Sequence, residues 1–239
     1  MSKVLRVVDG NAARRATPED CAECPAESLG LFSGTFRTQR AYLVEGFRIV
    51  QVAPQELLYR LGDAAEFVFI LRYGLMKLVR YSAGGDERIV RLARGGDTVG
   101  LEALSGNPYR HTAVALSDTA LCRVPARLVL ETERNDPRFV DRVMTEMQEE
   151  LEKADLFLTE LCSGAAHARI ARLLLHLREG DDDTCFLPMR EEIGSLLGVT
   201  METASRIVAE FRRDGLIRPT DDEQRVALDI PRLEAIAAS

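Results

Sequence analysis

A seven-residue apolar repeat in the middle of the chain most constrains the fold. Between Asn135 and Cys162 the sequence lacks glycine and is rich in Glu, Leu and Met. Its apolar residues recur at alternating steps of four and three: Val140, Met144, Met147, Leu151, Ala154, Leu158 and Leu161. Such a narrow stripe over about three heptads is typical of a helix that pairs with one partner helix. These seven residues are the predicted dimer seam.

Charged side chains flank the seam, among them Glu146, Glu149, Glu150, Glu152, Lys153 and Asp155. The alternative is an amphipathic helix packed on its own domain, which usually has a wider apolar face. The charged flanks favour a partner outside the chain. We therefore expect a parallel homodimer with two-fold symmetry.

Upstream of this helix, from about Phe36 to Pro125, short apolar runs are separated by glycine. The runs are Leu57–Leu61, Phe67–Leu71, Leu75–Tyr81 and Ile89–Leu92, and the breaks are Gly62-Asp63, Gly74, Gly84-Gly85 and Gly95-Gly96-Asp97. Each run has the length of a strand, and glycine supplies the positive φ that hairpin turns need. The pattern predicts a sandwich or jelly-roll barrel.

Downstream of the seam, the pattern predicts two helices joined by a tight turn. Arg190–Leu197 forms the first helix and Gly198-Val199 the turn. Thr200 is the expected N-cap of a second helix that continues to Arg213, and Gly215 ends it. This is the layout of a helix-turn-helix, whose second helix enters the DNA major groove.

Two further elements accompany this motif. Ala165–Glu179 has the apolar spacing of an amphipathic helix, and the Asp181–Asp183 run after it is more typical of a solvated linker than of a ligand site. Val226, Leu228 and Ile230 alternate with other residues, which predicts a small strand behind the second helix, a wing.

One face of the second helix is suited to base recognition, since Glu202, Ser205 and Arg206 share it with Ala209. Arginine can donate two hydrogen bonds to guanine O6 and N7, and a carboxylate can accept one from cytosine N4. The opposite face, expected to be buried, carries Ile207, Val208 and Phe211. Residues suited to phosphate contacts are Arg190, Thr200, Thr203 and Arg212. On pattern alone, an ordinary helical hairpin with Glu202 and Arg206 paired on its surface remains an alternative.

Composition argues mildly against nucleic acid as a partner, because the net charge is −7. DNA binding is predicted only by the local motif, where four arginines face three acids over Thr200–Arg218. No apolar run approaches the roughly 20 residues that span a bilayer, and Val4–Val8 is too short for a signal peptide. We expect a cytoplasmic protein without a membrane partner.

Histidine content bears on the main alternative from another class, a cupin-like barrel enzyme. Such metal chemistry usually needs several histidines and a carboxylate inside the barrel. Only His111 of the three histidines falls in the barrel segment, and His167 and His176 fall on the linking helix. We expect no enzyme and no catalytic residue.

Two segments resemble the CRP/FNR family of bacterial transcription regulators. They are REEIGSLLGVTMETASR at positions 190–206 and GGDTVG at positions 95–100, and the resemblance extends over nearly the whole chain. It is closest to the FNR/FixK-like branch through Glu202, Ser205 and Arg206, which match that branch's base-reading triplet. The resemblance implies an activator that recognises a TTGAT-N4-ATCAA-like palindrome and contacts RNA polymerase, with Gly84-Gly85-Asp86 and Asp181–Thr184 as candidate contacts.

The implied fold is α+β: an N-terminal jelly-roll β-barrel like cyclic nucleotide-binding domains, a long dimerisation helix and a C-terminal winged helix-turn-helix. We expect a mobile N-terminal segment with a cysteine pair at residues 1–35 and a barrel sensor domain at residues 36–132. The dimerisation helix follows at residues 133–163, and the DNA-binding domain occupies residues 164–239.

The resemblance also bears on a cyclic nucleotide as ligand. The branch that binds cyclic nucleotides has a Glu directly after the second barrel glycine and an Arg directly before Ser/Thr-Ala. Here Leu101 follows Gly100, which places Glu102 one position late, and His111 separates Arg110 from Thr112-Ala113. A phosphate pocket needs its arginine in a fixed place. No cyclic nucleotide is expected, and a cyclic-nucleotide-responsive regulator is the alternative.

FNR-type proteins instead hold an oxygen-labile iron–sulfur cluster on four cysteines. Cys21 and Cys24 resemble the first pair and Cys122 the last cysteine, but Gly30 or Phe32 stands where a third N-terminal cysteine is expected. Clusters generally require four thiolates, although another ligand can replace one, and Glu27 or Ser28 has suitable chemistry. The remaining cysteines, Cys162 and Cys185, are expected to be ordinary buried thiols.

A second departure from the FNR pattern is Ala154, where the family has an aspartate whose charge opposes dimerisation until the cluster forms. Alanine removes that repulsion. Three interpretations therefore stay open: a cluster with an unusual ligand, sensing by thiols or another metal, and an activator that needs no effector.

Overall fold

A computed structural model of the chain describes residues 13–17, 20, 46–135, 138–178 and 183–239. Cys21 and Cys24 lie outside these residues, as do most of the predicted N-terminal segment and Asp181. The chain divides into two compact units, Met1–Glu150 and Leu151–Ser239. Among the described residues, no helix has both the length and the apolar character to cross a membrane.

The N-terminal unit contains two antiparallel sheets. The first has the order β1-β2-β9-β4-β7 and the second the order β3-β8-β5-β6. Their strands are β1 (Arg14–Arg15), β2 (Arg48–Val52), β3 (Leu57–Tyr59), β4 (Phe67–Tyr73), β5 (Leu75–Tyr81), β6 (Glu87–Arg94), β7 (Thr98–Val99), β8 (Thr112–Ala115) and β9 (Thr119–Pro125). All four predicted runs form strands, and the β-barrel expected from the glycine spacing is confirmed.

Apolar side chains from both sheets form the barrel core. They include Val50, Leu58, Leu71, Met76, Leu78 and Leu121, all at most 1% exposed. Within this core the ring of Tyr59 stacks on that of Tyr109 with 3.9 Å between centroids. The hydroxyl of Tyr109 donates to the Phe67 carbonyl at 2.8 Å, so its one polar group is satisfied.

Helices follow the barrel: α1 (Ala126–Asn135) and α2 (Arg138–Leu156), which is continued by a π-helix, Phe157–Leu161. Five residues of the predicted seam are between 43% and 63% exposed in the single chain: Val140, Met144, Met147, Leu151 and Leu158. Ala154 is half-buried. This exposed stripe is the part of the seam open to a partner.

Leu161 departs from the predicted seam, because it is only 3% exposed and buried within the C-terminal unit. The π-helix explains the difference. Its i to i+5 bonding inserts an extra residue into the helical repeat and rotates the residues that follow. The π-helix also contacts the next helix of the same unit. The exposed stripe therefore ends at Leu158.

The other face of α2 packs within the N-terminal unit. Val143 lies against the apolar cluster that contains Val129. Glu146 is buried, and Glu150 forms an ion pair with Arg91 of β6. The helix thus has a charged and apolar face on its own unit and a separate apolar stripe exposed to solvent.

Within its described residues, the C-terminal unit continues with four helices and a small antiparallel sheet of order β10-β12-β11. Its elements are α3 (Ala166–His176), β10 (Thr184–Phe186), α4 (Arg190–Leu197), α5 (Met201–Arg213), β11 (Ile217–Pro219), β12 (Arg225–Leu228) and α6 (Ile230–Ala237). The predicted helices at α3, α4 and α5 all form, and β11 and β12 make the wing.

The last helix, α6, was not expected from the alternation of Val226, Leu228 and Ile230. The strand ends at Leu228, and Ile230 begins the helix instead. Asp229 is the N-cap, its side chain accepting from the backbone N–H of Arg232, and a proline follows in the first turn. Both are strong helix-start signals and outweigh the two-residue alternation.

Candidate DNA interface

The turn between α4 and α5 is built from glycine geometry. Gly198 ends α4 with φ +67°, and its N–H donates to the Gly194 carbonyl at 2.9 Å. A Cβ atom on Gly194 would lie 2.8 Å from the Val199 carbonyl oxygen, closer than side chains tolerate. The two glycines therefore let the chain reverse tightly enough to bring α5 against α4.

Thr200 is the N-cap of α5, as predicted. Its extended backbone turns into the helix, and its hydroxyl accepts from the Thr203 N–H at 3.2 Å. The buried face of α5 is formed by Ala204, Ile207, Val208 and Phe211, each at most 1% exposed. Burial of this face fixes which side of the helix is presented to solvent.

Two contacts from α3 hold the motif in place. Arg169 donates to the Leu197 carbonyl at 2.7 Å and so satisfies the end of α4. His167 Nε2 lies 3.1 Å from a carboxylate oxygen of Glu210 on α5. Sequence reasoning missed these positioning residues, because partners 28 and 43 positions apart leave no periodic signal.

Glu202, Ser205, Arg206 and Ala209 are all exposed on the opposite face of α5. In the described part of the chain, Arg206 makes no ion pair with Glu202, although they lie one helical turn apart. The guanidinium is thus available to a base edge. The surface pairing required by the helical-hairpin alternative does not form.

The carboxylate of Glu202 is held in its charged form. Its pKa is lowered, first by a hydrogen bond from its own backbone N–H and then by the Thr200 hydroxyl. A charged carboxylate near a helix N-terminus is also favoured by the helix dipole. Glu202 is therefore an acceptor and not a donor at neutral pH.

Arg190 and Arg212 are the two arginines expected to contact phosphate. The pKa of Arg190 is lowered, first by burial and then by the charge of Arg212. Arg190 is half-buried and donates through Nη1 to the Pro188 carbonyl at 3.3 Å, whereas Arg212 is exposed. Thr200 and Thr203, also expected to contact phosphate, share a hydrogen bond of 3.1 Å between their hydroxyls and cap the helix.

The cysteines do not come together as a site in the described residues. Cys122 on β9 is 4% exposed and lies among apolar side chains of the barrel, including Ile49 and Val124. Its sulfur accepts a long hydrogen bond of 3.8 Å from Arg72. No group of three or more His, Cys, Asp or Glu side chains suited to a metal occurs in the described ranges.

The other two cysteines differ from each other. Cys185 is fully buried, as expected, whereas Cys162 is only partly buried, because it lies in the link after the π-helix.

The residues that were compared with a cyclic nucleotide pocket, Glu102, Arg110 and His111, contact one another. Glu102 accepts from the Arg110 backbone N–H at 3.2 Å and lies 3.5 Å from His111 Nδ1. Burial acts to raise the pKa of Glu102, but hydrogen bonds from His111 and the backbone outweigh it and lower the pKa. The carboxylate is thus occupied within the barrel.

Comparison with known proteins matches both units. The family model of the cyclic nucleotide-binding domain matches residues 49–135. The family model of the Crp-like helix-turn-helix domain matches residues 168–236. FnrA, a transcriptional activator of Stutzerimonas stutzeri, is 32% identical over 76% of this chain and 77% of its own. The transcriptional regulatory protein btr of Bordetella pertussis is 29% identical over 78% and 80%.

A solved structure agrees with these relatives. FixK2 of Bradyrhizobium japonicum superposes with a TM-score of 0.70 and 26% identity, covering 80% of this chain and 97% of its own. A barrel of the cyclic nucleotide-binding type followed by a Crp-like helix-turn-helix defines a DNA-binding transcription regulator. The chain belongs to the CRP/FNR family of these regulators, in its FNR/FixK-like branch.

Proposed function

We propose that the chain acts in the cytoplasm as a homodimeric activator that recognises a TTGAT-N4-ATCAA-like palindrome. The observation that carries this proposal is the exposed face of Glu202, Ser205 and Arg206 on a helix whose opposite face is buried. In this assignment Arg206 donates to guanine and Glu202 accepts from cytosine. Arg190 and Arg212, with the two threonine hydroxyls, contact phosphate and set the register.

The exposed stripe on α2 supplies the second half of the proposal. Five apolar side chains exposed along one helix face fit a second copy of the same helix. A two-fold pair places two recognition helices in successive major grooves about 34 Å apart, which matches a palindromic site. Each half-site is then read by one chain.

The base-reading assignment is tested by Arg206→Ala. We expect discrimination between the palindrome and a scrambled duplex to fall by about 1–3 kcal/mol, because the variant cannot form the two hydrogen bonds to guanine. Competition binding at fixed salt measures this difference. Arg213→Ala, an exposed arginine two turns beyond Arg206 at the C-terminal end of the same helix, is the matched control. Discrimination that survives in Arg206→Ala would contradict the assignment.

Cys122, the candidate cluster ligand that the structure describes, does not lie in an open ligand site. The sequence offers three of the thiolates, and Cys122 is enclosed by apolar side chains and Arg72. We therefore propose that the chain binds DNA without a cluster. Support for a dimer that needs none comes from Ala154, since a neutral side chain in the stripe adds no charge repulsion between copies.

Anaerobic purification tests this part of the proposal. Iron and sulfide content, a visible spectrum and DNA affinity are measured before and after exposure to air. Colourless, iron-free protein that binds the palindrome equally in both states is the expected result. Stoichiometric iron and sulfide, with affinity lost in air, would establish a cluster with a ligand other than a fourth cysteine. Affinity that changes in air without iron would instead indicate a thiol response of Cys21, Cys24 or Cys122.

For contact with RNA polymerase we propose the turn between β5 and β6, where Gly84, Gly85 and Asp86 are exposed. Asp86 closes this turn through Ser82, and its carboxylate is presented to solvent. Asp86→Asn should lower transcription from a cognate promoter while leaving palindrome affinity unchanged. Unaltered transcription would exclude this turn. Of the second candidate, Asp181–Thr184, the first two residues lie outside the described ranges.

A further inference from the structure

The end of the long helix is joined to the DNA-binding elements by a very short link. The π-helix ends at Leu161 and α3 begins at Ala166, which leaves residues 162–165 between them. All of these belong to the C-terminal unit. Gly164 has φ +86°, a backbone conformation that other residues rarely adopt. Such a link is a natural pivot unless side chains hold it.

One side chain holds this link from α3. The Arg172 guanidinium donates through Nη1 to the carbonyl oxygens of Glu160 and Ser163, the latter at 2.9 Å. Its Nε donates to the Ala237 carbonyl at 2.8 Å. A Cβ atom on Gly164 would lie 3.2 Å from Nη2, so the glycine also makes room for the guanidinium.

These acceptors come from three different segments: the π-helix, the link and the end of α6. Carbonyl groups at helix C-termini lack intrahelical partners and carry partial negative charge. A planar, permanently charged guanidinium can satisfy several of them in fixed directions, which a lysine ammonium cannot. Arg172 therefore joins the end of α2 and its π-helix, here called the dimer helix, to two helices of the C-terminal unit, α3 and α6.

We propose that Arg172 is a positioning residue for DNA recognition: it fixes the angle at which the reading unit leaves the end of the dimer helix. This rests on the proposed function, since the angle matters only if two chains bind one palindrome. In such a dimer, the angle sets the distance between the two recognition helices. Arg172 thus determines which spacing between half-sites is accepted.

The test measures affinity for duplexes that differ only in the spacer, with three, four, five or six base pairs between the half-sites, and for a single half-site. We expect the wild-type chain to prefer one spacer strongly. In Arg172→Met the ratio of affinities between the best spacer and its neighbours should fall at least about tenfold. A link that the guanidinium no longer holds lets the two recognition helices reach half-sites at other spacings. Half-site affinity should remain.

Arg178→Met is the matched control, because Arg178 is an exposed arginine of the same unit, paired with Asp183 and away from the link. It should leave the spacer preference unchanged. Gly164→Ala crowds the guanidinium and strains the link, so it should lower the spacer preference independently. This variant replaces Arg172→Met as the test if Arg172→Met folds poorly. Melting temperature and light scattering report whether each variant is folded and dimeric.

The outcomes separate the two proposals. Wild-type protein without any spacer preference would overturn the proposed function. A wild-type preference that persists in folded Arg172→Met and Gly164→Ala would overturn the positioning role alone. Affinity that falls equally for every spacer and for the half-site would also overturn it, since that pattern reports a general structural role.

Discussion

At the scale of single residues, the interface depends on groups whose charge and direction are set by neighbours. Thr200 caps α5, and the pKa of Glu202 is lowered by a hydrogen bond from its own backbone N–H and by the Thr200 hydroxyl. His167 and Arg169 act from another helix, through Glu210 and the Leu197 carbonyl. The proposed reading face is therefore held in place within the free chain, which would limit the entropy lost on binding DNA.

Glu202→Gln tests the role of this charge. Because the pKa of Glu202 is lowered, the carboxylate stays ionised far below neutral pH, and wild-type discrimination at its base pair should be constant from about pH 8 to about pH 5.5. The variant should discriminate less, since an amide can donate as well as accept. Binding to duplexes with single base changes, measured across this range, checks both statements. If wild-type discrimination at this base pair instead changed with pH near about 6, a group other than Glu202 would be reading it.

The lowered pKa of Glu202 also determines how this residue affects the pH dependence of folding stability. A carboxylate with a lower pKa when folded stabilises the fold above its unfolded pKa, and this contribution is lost as the pH falls through the folded value. Any stabilisation from Glu202 is thus complete at neutral pH and disappears only in acid. Its full exposure keeps the contribution small.

At the scale of elements, helix α2 has two faces with different roles: one packs on its own barrel and the other is exposed. Glu150 and Val143 bind it to its own barrel, while the exposed stripe is left for a partner. Heptad spacing predicted the stripe because it depends only on positions along one helix. It could not predict the burial of Leu161, since the inserted residue of the π-helix leaves no mark in the spacing.

Leu151→Glu tests the stripe. Leu151 is 63% exposed near its centre, so a paired charge there would face its own copy across the two-fold axis. We expect the variant to be monomeric at micromolar concentration and to lose affinity for the palindrome. Light scattering measures the mass. Gln148→Glu adds the same charge at an exposed position outside the stripe and should remain dimeric. A dimeric Leu151→Glu would show that the chains associate elsewhere.

The helix-turn-helix was the element most fully predicted from sequence. Its cap, its glycine turn and its apolar spacing are local signals, and each agrees with the others. The last helix was missed because a short alternation over Val226–Ile230 concealed the Asp229 cap. The contacts of Arg169 and Arg172 could not be predicted, since they join residues that only the folded chain brings together.

At the scale of the whole molecule, an acidic protein must bind a polyanion. The net charge of −7 makes every phosphate contact depend on a few arginines rather than on a general positive field. Long-range repulsion and local attraction then oppose each other, and salt screens both. The motif alone, not the composition, indicates DNA.

Arg212→Ala tests how phosphate contacts contribute. Affinity should fall for cognate and scrambled duplexes alike, because phosphate contacts carry no sequence information. The slope of log K against log salt should become shallower by about 1 for each phosphate that the variant no longer neutralises. Binding isotherms at several salt concentrations provide the slope. A selective loss on the cognate duplex would assign Arg212 to base reading instead.

The exposed stripe on α2 has a consequence for the cell. If the chain binds its palindrome only as a pair, and single chains predominate, the concentration of pairs rises with the square of total protein. A twofold rise in synthesis then gives about a fourfold rise in pairs. The occupancy of a promoter bound by such pairs then rises more steeply than the amount of the chain, so the expression level of the regulator itself affects transcription.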